Sequence, residues 1–196
     1  MPKGIYCLEG FWYGRHDKTS VRPILHLLDN CQGIKHFYHK CATESELEYM
    51  VKQWGQVGFQ KKYPIIYFAT HGREKEEKKF NLSESKLYFG PKETISLDKI
   101  AELLEGKCNR SIFYFGSCNT FDIDRRHIDK FLERTKGLAA IGYTKEVDWL
   151  PSAAMEILAL GYLYSCDFNI MNAKEIESGL RGILGKYAIE LGLRII

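Results

Sequence analysis

Two residues that could carry out chemistry together follow two apolar runs of the sequence. His71 directly follows the run 63–70 (YPIIYFAT), and Cys118 comes two residues after the run 112–116 (IFYFG). Such runs are typical of strands that are buried on both faces of a sheet. Open α/β sheets place their chemistry at the carboxyl ends of the central strands. The sequence therefore predicts an imidazole and a thiol side by side at one edge of a sheet.

This pair of residue types suits nucleophilic attack on a carbonyl carbon. A thiol attacks only as the thiolate, so it needs a base or a cation nearby to lower its pKa, and His71 is the best candidate. Gly72 lacks a side chain, so its backbone N–H could join that of Cys118 in stabilising an oxyanion. A helix predicted soon after Cys118 would add partial positive charge near the thiol. This chemistry requires no metal and no cofactor.

The elements that must position these residues alternate between strands and helices along the chain. This order predicts an α/β fold, a three-layer sandwich in which helices cover both faces of a central, mostly parallel sheet. A small hairpin outside the main sheet is predicted after the His-Gly strand, from 80–82 and 86–89. The predicted strands are 4–9, 35–41, 63–70, 112–116 and 137–144. The predicted helices are 20–31, 43 to about 55–58, 96–105, 124–136, 152–164 and 173–193.

Three helix starts carry recognisable capping residues. Ser20 is expected to cap the first helix, with Pro23 in its first turn. Thr43 and Glu46 have the spacing of a capping box, in which each side chain accepts the other residue's backbone N–H. Ser96 is expected to cap the helix that leads towards the cysteine strand.

Composition excludes several classes of protein. The chain has 196 residues, of which 45% are hydrophobic and 27% charged, as in an ordinary globular protein, and we expect a single domain over 1–196. The net charge is only +3, with basic and acidic residues interleaved, so no nucleic-acid partner is predicted. The six cysteines show no CxxC spacing, which favours a reducing compartment over a disulfide framework or zinc ribbon. No apolar run approaches a membrane span, so no membrane partner and a cytoplasmic location are predicted.

Five segments of the chain form a recognisable series: FATHG (68–72), LYFG (87–90) before SLDKIAELL (96–104), FGSCNTF (115–121) and GLAAIGYTKEVDW (137–149). Taken in this order, they resemble the caspase-hemoglobinase (clan CD) cysteine peptidases, and within that clan the CHAT-like, separase-related branch. The resemblance covers residues 60–165 approximately. It implies a caspase-like domain whose strands follow a flavodoxin-like order.

The resemblance also implies an activity: a cysteine endopeptidase in which Cys118 is the nucleophile and His71 the acid and base, acting on a protein or peptide substrate. The substrate pocket would form around the two strand ends, including Gly116 and Ser117. Relatives that prefer a basic residue before the cleaved bond often carry an acid two positions before the cysteine. This chain departs from that pattern, because Gly116 occupies the position. The nearby acids that could replace it are Glu146 and Asp148.

The chain is compact for such a peptidase, so the resemblance implies a separate activator or receptor protein and a role in stress or defence signalling. Two other classes of function remain open. A catalytically silent interaction module would keep the fold without turnover, and its Cys118 would not react with thiol-directed peptide electrophiles. A flavodoxin-like small-molecule binder is disfavoured, because the sequence has no GxGxxG motif, no P-loop and no acidic cluster for magnesium.

Overall fold

A computed structural model describes residues 3–12, 18–71, 86–90, 93–122 and 124–196. In these ranges the strands are β1 (Ile5–Glu9), β2 (His36–Lys40), β3 (Ile65–Ala69), β4 (Lys86–Tyr88), β5 (Thr94–Ser96), β6 (Ile112–Phe115), β7 (Ala139–Tyr143) and β8 (Leu193–Ile195). The helices are α1 (Arg22–Gln32), α2 (Glu44–Trp54), α3 (Val57–Lys62), α4 (Leu97–Leu103), α5 (Arg125–Thr135), α6 (Trp149–Ser165), α7 (Ala173–Leu184) and α8 (Lys186–Glu190). None of these helices has both the length and the apolar character needed to cross a bilayer.

Of the strands in the described residues, six form the central sheet, in the order β2-β1-β3-β6-β7-β8. The first five are mutually parallel, and β8 adds to the edge in the antiparallel direction. Numbered along the chain, the five parallel strands follow the order 2-1-3-4-5, so the predicted flavodoxin-like order is confirmed. β3 and β6 are neighbours, with Phe68 opposite Phe115, and their carboxyl ends reach the same edge of the sheet.

Helices cover both faces of this sheet and explain why its central strands are apolar throughout. Every residue of β3 and β6 is buried. Tyr67 and Tyr114 point into a core shared with α1, α6 and α7. Phe68 and Phe115 point into a second core shared with α2, α4 and α5. The predicted three-layer sandwich is therefore confirmed.

The predicted small hairpin outside the main sheet is confirmed, and it holds the backbone of His71. β4 pairs with β5 in the antiparallel direction, and β5 leads directly into α4. The predicted partner segment, 80–82, lies outside the described residues. His71 donates its N–H to the Tyr88 carbonyl over 2.8 Å and accepts the Tyr88 N–H over 3.0 Å. The hairpin thus fixes the chain direction where β3 ends.

Two helix starts differ slightly from the predicted caps. α1 begins one residue later than expected, with Val21 as N-cap, although the Ser20 hydroxyl accepts the Arg22 N–H at 3.1 Å. Thr43 does cap α2 by accepting the Glu46 N–H at 3.3 Å, but the Glu46 carboxylate receives the N–H of Ala42 at 2.7 Å. Ser96 caps α4 as predicted.

The C-terminal region corrects the sequence prediction of a single helix over 173–193. α7 ends at Leu184, because Gly185 adopts a left-handed φ of +54° that interrupts the helix. After the short helix α8, Gly192 turns the chain with a φ of +66°, and β8 pairs with β7. The short helix α3 was also not predicted.

Candidate active site

The ends of β3 and β6 are tied together by a pair of hydroxyl groups. Thr70 and Ser117 are both buried, and their side-chain oxygens lie 2.7 Å apart. Each directly precedes one of the two candidate catalytic residues, so this bond holds His71 and Cys118 on neighbouring strand ends. Ser117 therefore fastens the strands, and its predicted place in the substrate pocket stays a prediction.

His71 and Cys118 line the same cavity, which has a volume of about 120 Å³. Gly116, a third predicted site residue, also lines it. The predicted pocket acids Glu146 and Asp148 are exposed and do not line it. The remaining lining residues are Trp12, Val21, Ile24, Val147, Trp149, Ser152, Ala153 and Glu156. Across the described ranges, no three His, Cys, Asp or Glu side chains gather closely enough to hold a metal ion.

A backbone carbonyl determines which nitrogen of His71 carries the proton. Nε2 of His71 is hydrogen-bonded to the carbonyl oxygen of Trp12. Because a carbonyl oxygen can only accept, Nε2 is the donor, and the lone pair of the neutral ring lies on Nδ1. The Trp12 indole packs edge-on against the imidazole, with 5.0 Å between ring centroids. The imidazole is thus held with Nδ1 as its basic atom.

A buried carboxylate that was not predicted fixes Trp12. Glu9, the last residue of β1, is fully buried. It accepts hydrogen bonds from the Trp12 indole N–H (2.8 Å), the Val21 N–H (2.7 Å), the Ser20 hydroxyl (2.7 Å) and the Tyr38 hydroxyl. Glu9 therefore joins the end of β1 to the start of α1 and to Trp12. The sequence feature that could have indicated this role is a charged residue at the end of an apolar strand, directly before a loop rich in aromatic residues.

Cys118 lies in a turn after β6 that is fastened to the loop following β7. Its sulfur accepts the Val147 N–H at 3.4 Å, and its thiol donates to the Val147 carbonyl over 3.7 Å. Asn119 adopts a left-handed φ of +55° and donates its N–H to the Lys145 carbonyl at 3.2 Å. The other predicted oxyanion donor, Gly72, lies outside the described residues.

The surroundings of Cys118 favour the neutral thiol. Burial is the largest influence and raises the pKa of this thiol. The Val147 N–H lowers the pKa, whereas the carboxyl groups of Glu146 and Glu156 raise it. The helix that was predicted to add partial positive charge near the thiol is α5, and it begins at Arg125 instead of directly after Cys118. The net direction is therefore opposite to the expected lowering of the thiol pKa.

The carboxyl group of Glu156 borders the cavity and was not predicted as a site residue. Glu156 lies on α6 and is buried. It accepts hydrogen bonds from the Tyr67 hydroxyl and, over 3.5 Å, from the Tyr143 hydroxyl. Burial raises its pKa to about 8. The sequence signal was a lone acid in an otherwise apolar helical run, AAMEILAL (153–160).

Comparison with known proteins assigns the class of fold and then the family. The fold is caspase-like: it is similar to the crystal structure of the Drosophila initiator caspase Dronc, with a TM-score of 0.53 over 93% of this chain and 72% of that chain. The sequence identity is 10%, so the similarity concerns the fold alone. The chain belongs to a family of unknown function, DUF6642, whose model matches residues 2–177. No curated protein matches it.

Proposed function

We propose that the chain is a cysteine endopeptidase that uses Cys118 as nucleophile and His71 as acid and base. One observation carries the proposal. The two side chains come from the ends of adjacent parallel strands and line one cavity, with His71 oriented so that Nδ1 is its basic atom. We also propose that the chain is related to the CHAT-like branch, on the basis of the segments 68–72 and 115–121.

The reaction proceeds by acyl transfer in two steps. Nδ1 of His71 takes the thiol proton while the Cys118 sulfur attacks the carbonyl carbon of the peptide bond. The C–N bond breaks as His71 returns that proton to the leaving amine, which leaves a thioester. Water then gives a proton to His71 and attacks the thioester, so the acid product leaves and the thiol regains its proton. The backbone N–H groups of Gly72 and Cys118 are the proposed oxyanion donors.

The raised pKa of Cys118 bears on how this activity would be controlled. Because burial favours the thiol, proton transfer to His71 must accompany attack instead of preceding it. A bound substrate or activator protein that brings hydrogen-bond donors to the sulfur would lower this barrier. We propose such a partner as the trigger, in stress or defence signalling. All six cysteines are free thiols, which supports a cytoplasmic setting.

Cleavage of a proteome-derived peptide library, mapped by mass spectrometry, tests the proposal. We expect cleavage by the wild-type protein, none by Cys118→Ala, and wild-type cleavage by Cys31→Ala. Cys31 is the matched control because it is an exposed cysteine on α1, outside the cavity. Cleavage that survives in Cys118→Ala would refute the proposal.

A second candidate is a catalytically silent interaction module. The observation that favours it is the same raised pKa, because a buried thiol that keeps its proton is a poor nucleophile. Peptide electrophiles separate the two functions without a known substrate. Selective, His71-dependent labelling of Cys118 indicates a peptidase, whereas labelling no faster than that of the buried Cys7 or Cys41 indicates a silent module.

A further inference from the structure

The cavity that His71 and Cys118 border also contains a buried carboxyl group. Glu156 reaches it from α6 and is 4% exposed. A Cβ atom built on Gly116 would lie 3.0 Å from Oε1 of Glu156. The carboxyl group therefore occupies the space that a side chain at position 116 would enter, two residues before the candidate nucleophile.

Among the described residues, Glu156 has hydrogen-bond donors around it but no cationic partner. Tyr67 and Tyr143 donate to it, and the ion pairs formed among the described residues do not include it. A carboxylate has about four lone-pair sites, so two donors leave acceptor capacity unused. A buried carboxylate without a cationic partner is unfavourable, and a cation entering the cavity would supply that partner.

Most of the other residues that line this cavity are apolar or aromatic. Trp12 and Trp149 pack edge to face with 5.0 Å between ring centroids, and Ile24 and Val147 line the same cavity. A largely apolar cavity that contains one carboxyl group matches a side chain that has an aliphatic stem and a cationic tip. Arginine and lysine are the two amino acids with that construction.

We propose that Glu156 selects substrates that carry arginine or lysine on the amino side of the cleaved bond. This inference rests on the proposed function, because it concerns the same cavity and the same nucleophile. Gly116 contributes by having no side chain, which leaves room for the Glu156 carboxyl group in the cavity that Cys118 also lines. Glu146 and Asp148 are exposed and do not line the cavity, so they serve as comparison acids.

Two peptidyl acyloxymethyl ketones that differ only in arginine or citrulline next to the ketone provide the test. Citrulline keeps the shape of arginine but replaces its cation with a neutral urea. Labelling forms a carbon–sulfur bond with Cys118, expels the carboxylate of the probe and releases the thiol proton through His71. We expect wild-type protein to react with the arginine probe about tenfold to a hundredfold faster, the range that a hydrogen bond to a charged group supplies.

Substitutions of three acidic residues test whether Glu156 is the source of the preference for the arginine probe. Glu156→Gln keeps the acceptor for Tyr67 and removes the charge, so the rate ratio of the two probes should fall towards one. Glu146→Gln and Asp148→Asn should leave the ratio unchanged. Intact mass and peptide mapping identify Cys118 as the labelled residue in each case.

The outcomes distinguish failure of the inferred arginine or lysine preference from failure of the proposed peptidase function. Equal labelling of Cys118 by both probes in the wild-type protein would overturn the inference and leave the proposed function standing, and this result does not depend on any variant folding. Absence of labelling by either probe would overturn the proposed function together with the inference. A ratio that follows Glu146 or Asp148 instead of Glu156 would also overturn the inference.

A pH series adds a second readout. Burial raises the pKa of Glu156 to about 8, so the ionised fraction that attracts a cation grows as the pH rises from about 6 to about 8. The wild-type ratio of arginine to citrulline labelling should therefore rise over this range, and that of Glu156→Gln should stay flat. Both probes react with the same Cys118 thiol, so the ratio of their rates cancels the effect of its ionisation. The other titratable groups facing the carboxyl group are Cys7, Tyr67, Tyr114 and Tyr143, whose pKa values burial raises well above their ordinary values.

Discussion

Gly116→Ala should destabilise the protein, because the space beside this glycine is already filled. An added Cβ would lie 2.7 Å from Cε2 of Tyr67, about 0.8 Å closer than an ordinary carbon contact of about 3.5 Å. The Tyr67 ring is fully buried and packs edge-on against Tyr114, so it has little room to move. Overpacking of this kind costs about 1–3 kcal/mol. The lower entropy of the unfolded alanine chain offsets about 0.4–1 kcal/mol, which leaves an expected net loss centred on about 1.3 kcal/mol and at most about 2.6 kcal/mol.

Gly182→Ala is the matched control for this substitution. Gly182 lies on α7, is exposed, and has no atom within 4 Å of an added Cβ. Alanine should stabilise this helical position by about 0.5–1 kcal/mol, so the same chemical change is expected to have opposite signs at the two sites. Urea unfolding followed by circular dichroism measures both. If Gly116→Ala were as harmless as the control, the argument that Tyr67 and Glu156 crowd residue 116 would be refuted.

Three further predictions concern stability. Thr70→Val and Ser117→Ala should each cost about 1–3 kcal/mol, because each leaves the partner hydroxyl buried without its bond, and the double variant should lose less than their sum. Strict additivity in urea unfolding would contradict that bond. The pKa of Glu156 rises from 4.5 to about 8 on folding, so the folded state binds a proton that the unfolded state has lost between these pH values. The free energy of unfolding should therefore fall as the pH rises from about 4.5 to about 8. Glu156→Gln should reduce this pH dependence, and an unchanged dependence would exclude Glu156 as its source. Gly185→Ala should cost about 1–3 kcal/mol because of the left-handed φ of +54°, and an unchanged urea midpoint would contradict this.

The sequence could predict the strand ends that carry His71 and Cys118 because the information there is local. A strand buried on both faces requires a continuous apolar run, and a polar group must end it. The order of such runs, alternating with helices, also fixes a parallel sheet and its two helical layers. The relation between the two catalytic candidates followed from the assumption that β3 and β6 are neighbours, which the strand order confirms.

Glu9 and Glu156 could not be assigned in the same way, because their partners are distant in sequence. Glu156 receives the hydroxyl of Tyr67, which precedes it by 89 residues, and Glu9 receives that of Tyr38, 29 residues away. A carboxylate within an apolar segment signals only that some partner must exist, since burial without one is costly. β8 was missed for a similar reason: its three residues form a strand only because the edge of β7 is there to pair with them.

The two buried carboxyl groups have different consequences for the site. Glu9 has four donors and holds Trp12, so its burial is compensated within the chain and it orients His71. Glu156 has two tyrosine donors, and its raised pKa means that ionisation near neutral pH costs free energy. An incoming cation would offset this cost, because it would stabilise the ionised carboxylate against the neutral acid. Binding of a basic substrate side chain would therefore be coupled to ionisation of Glu156.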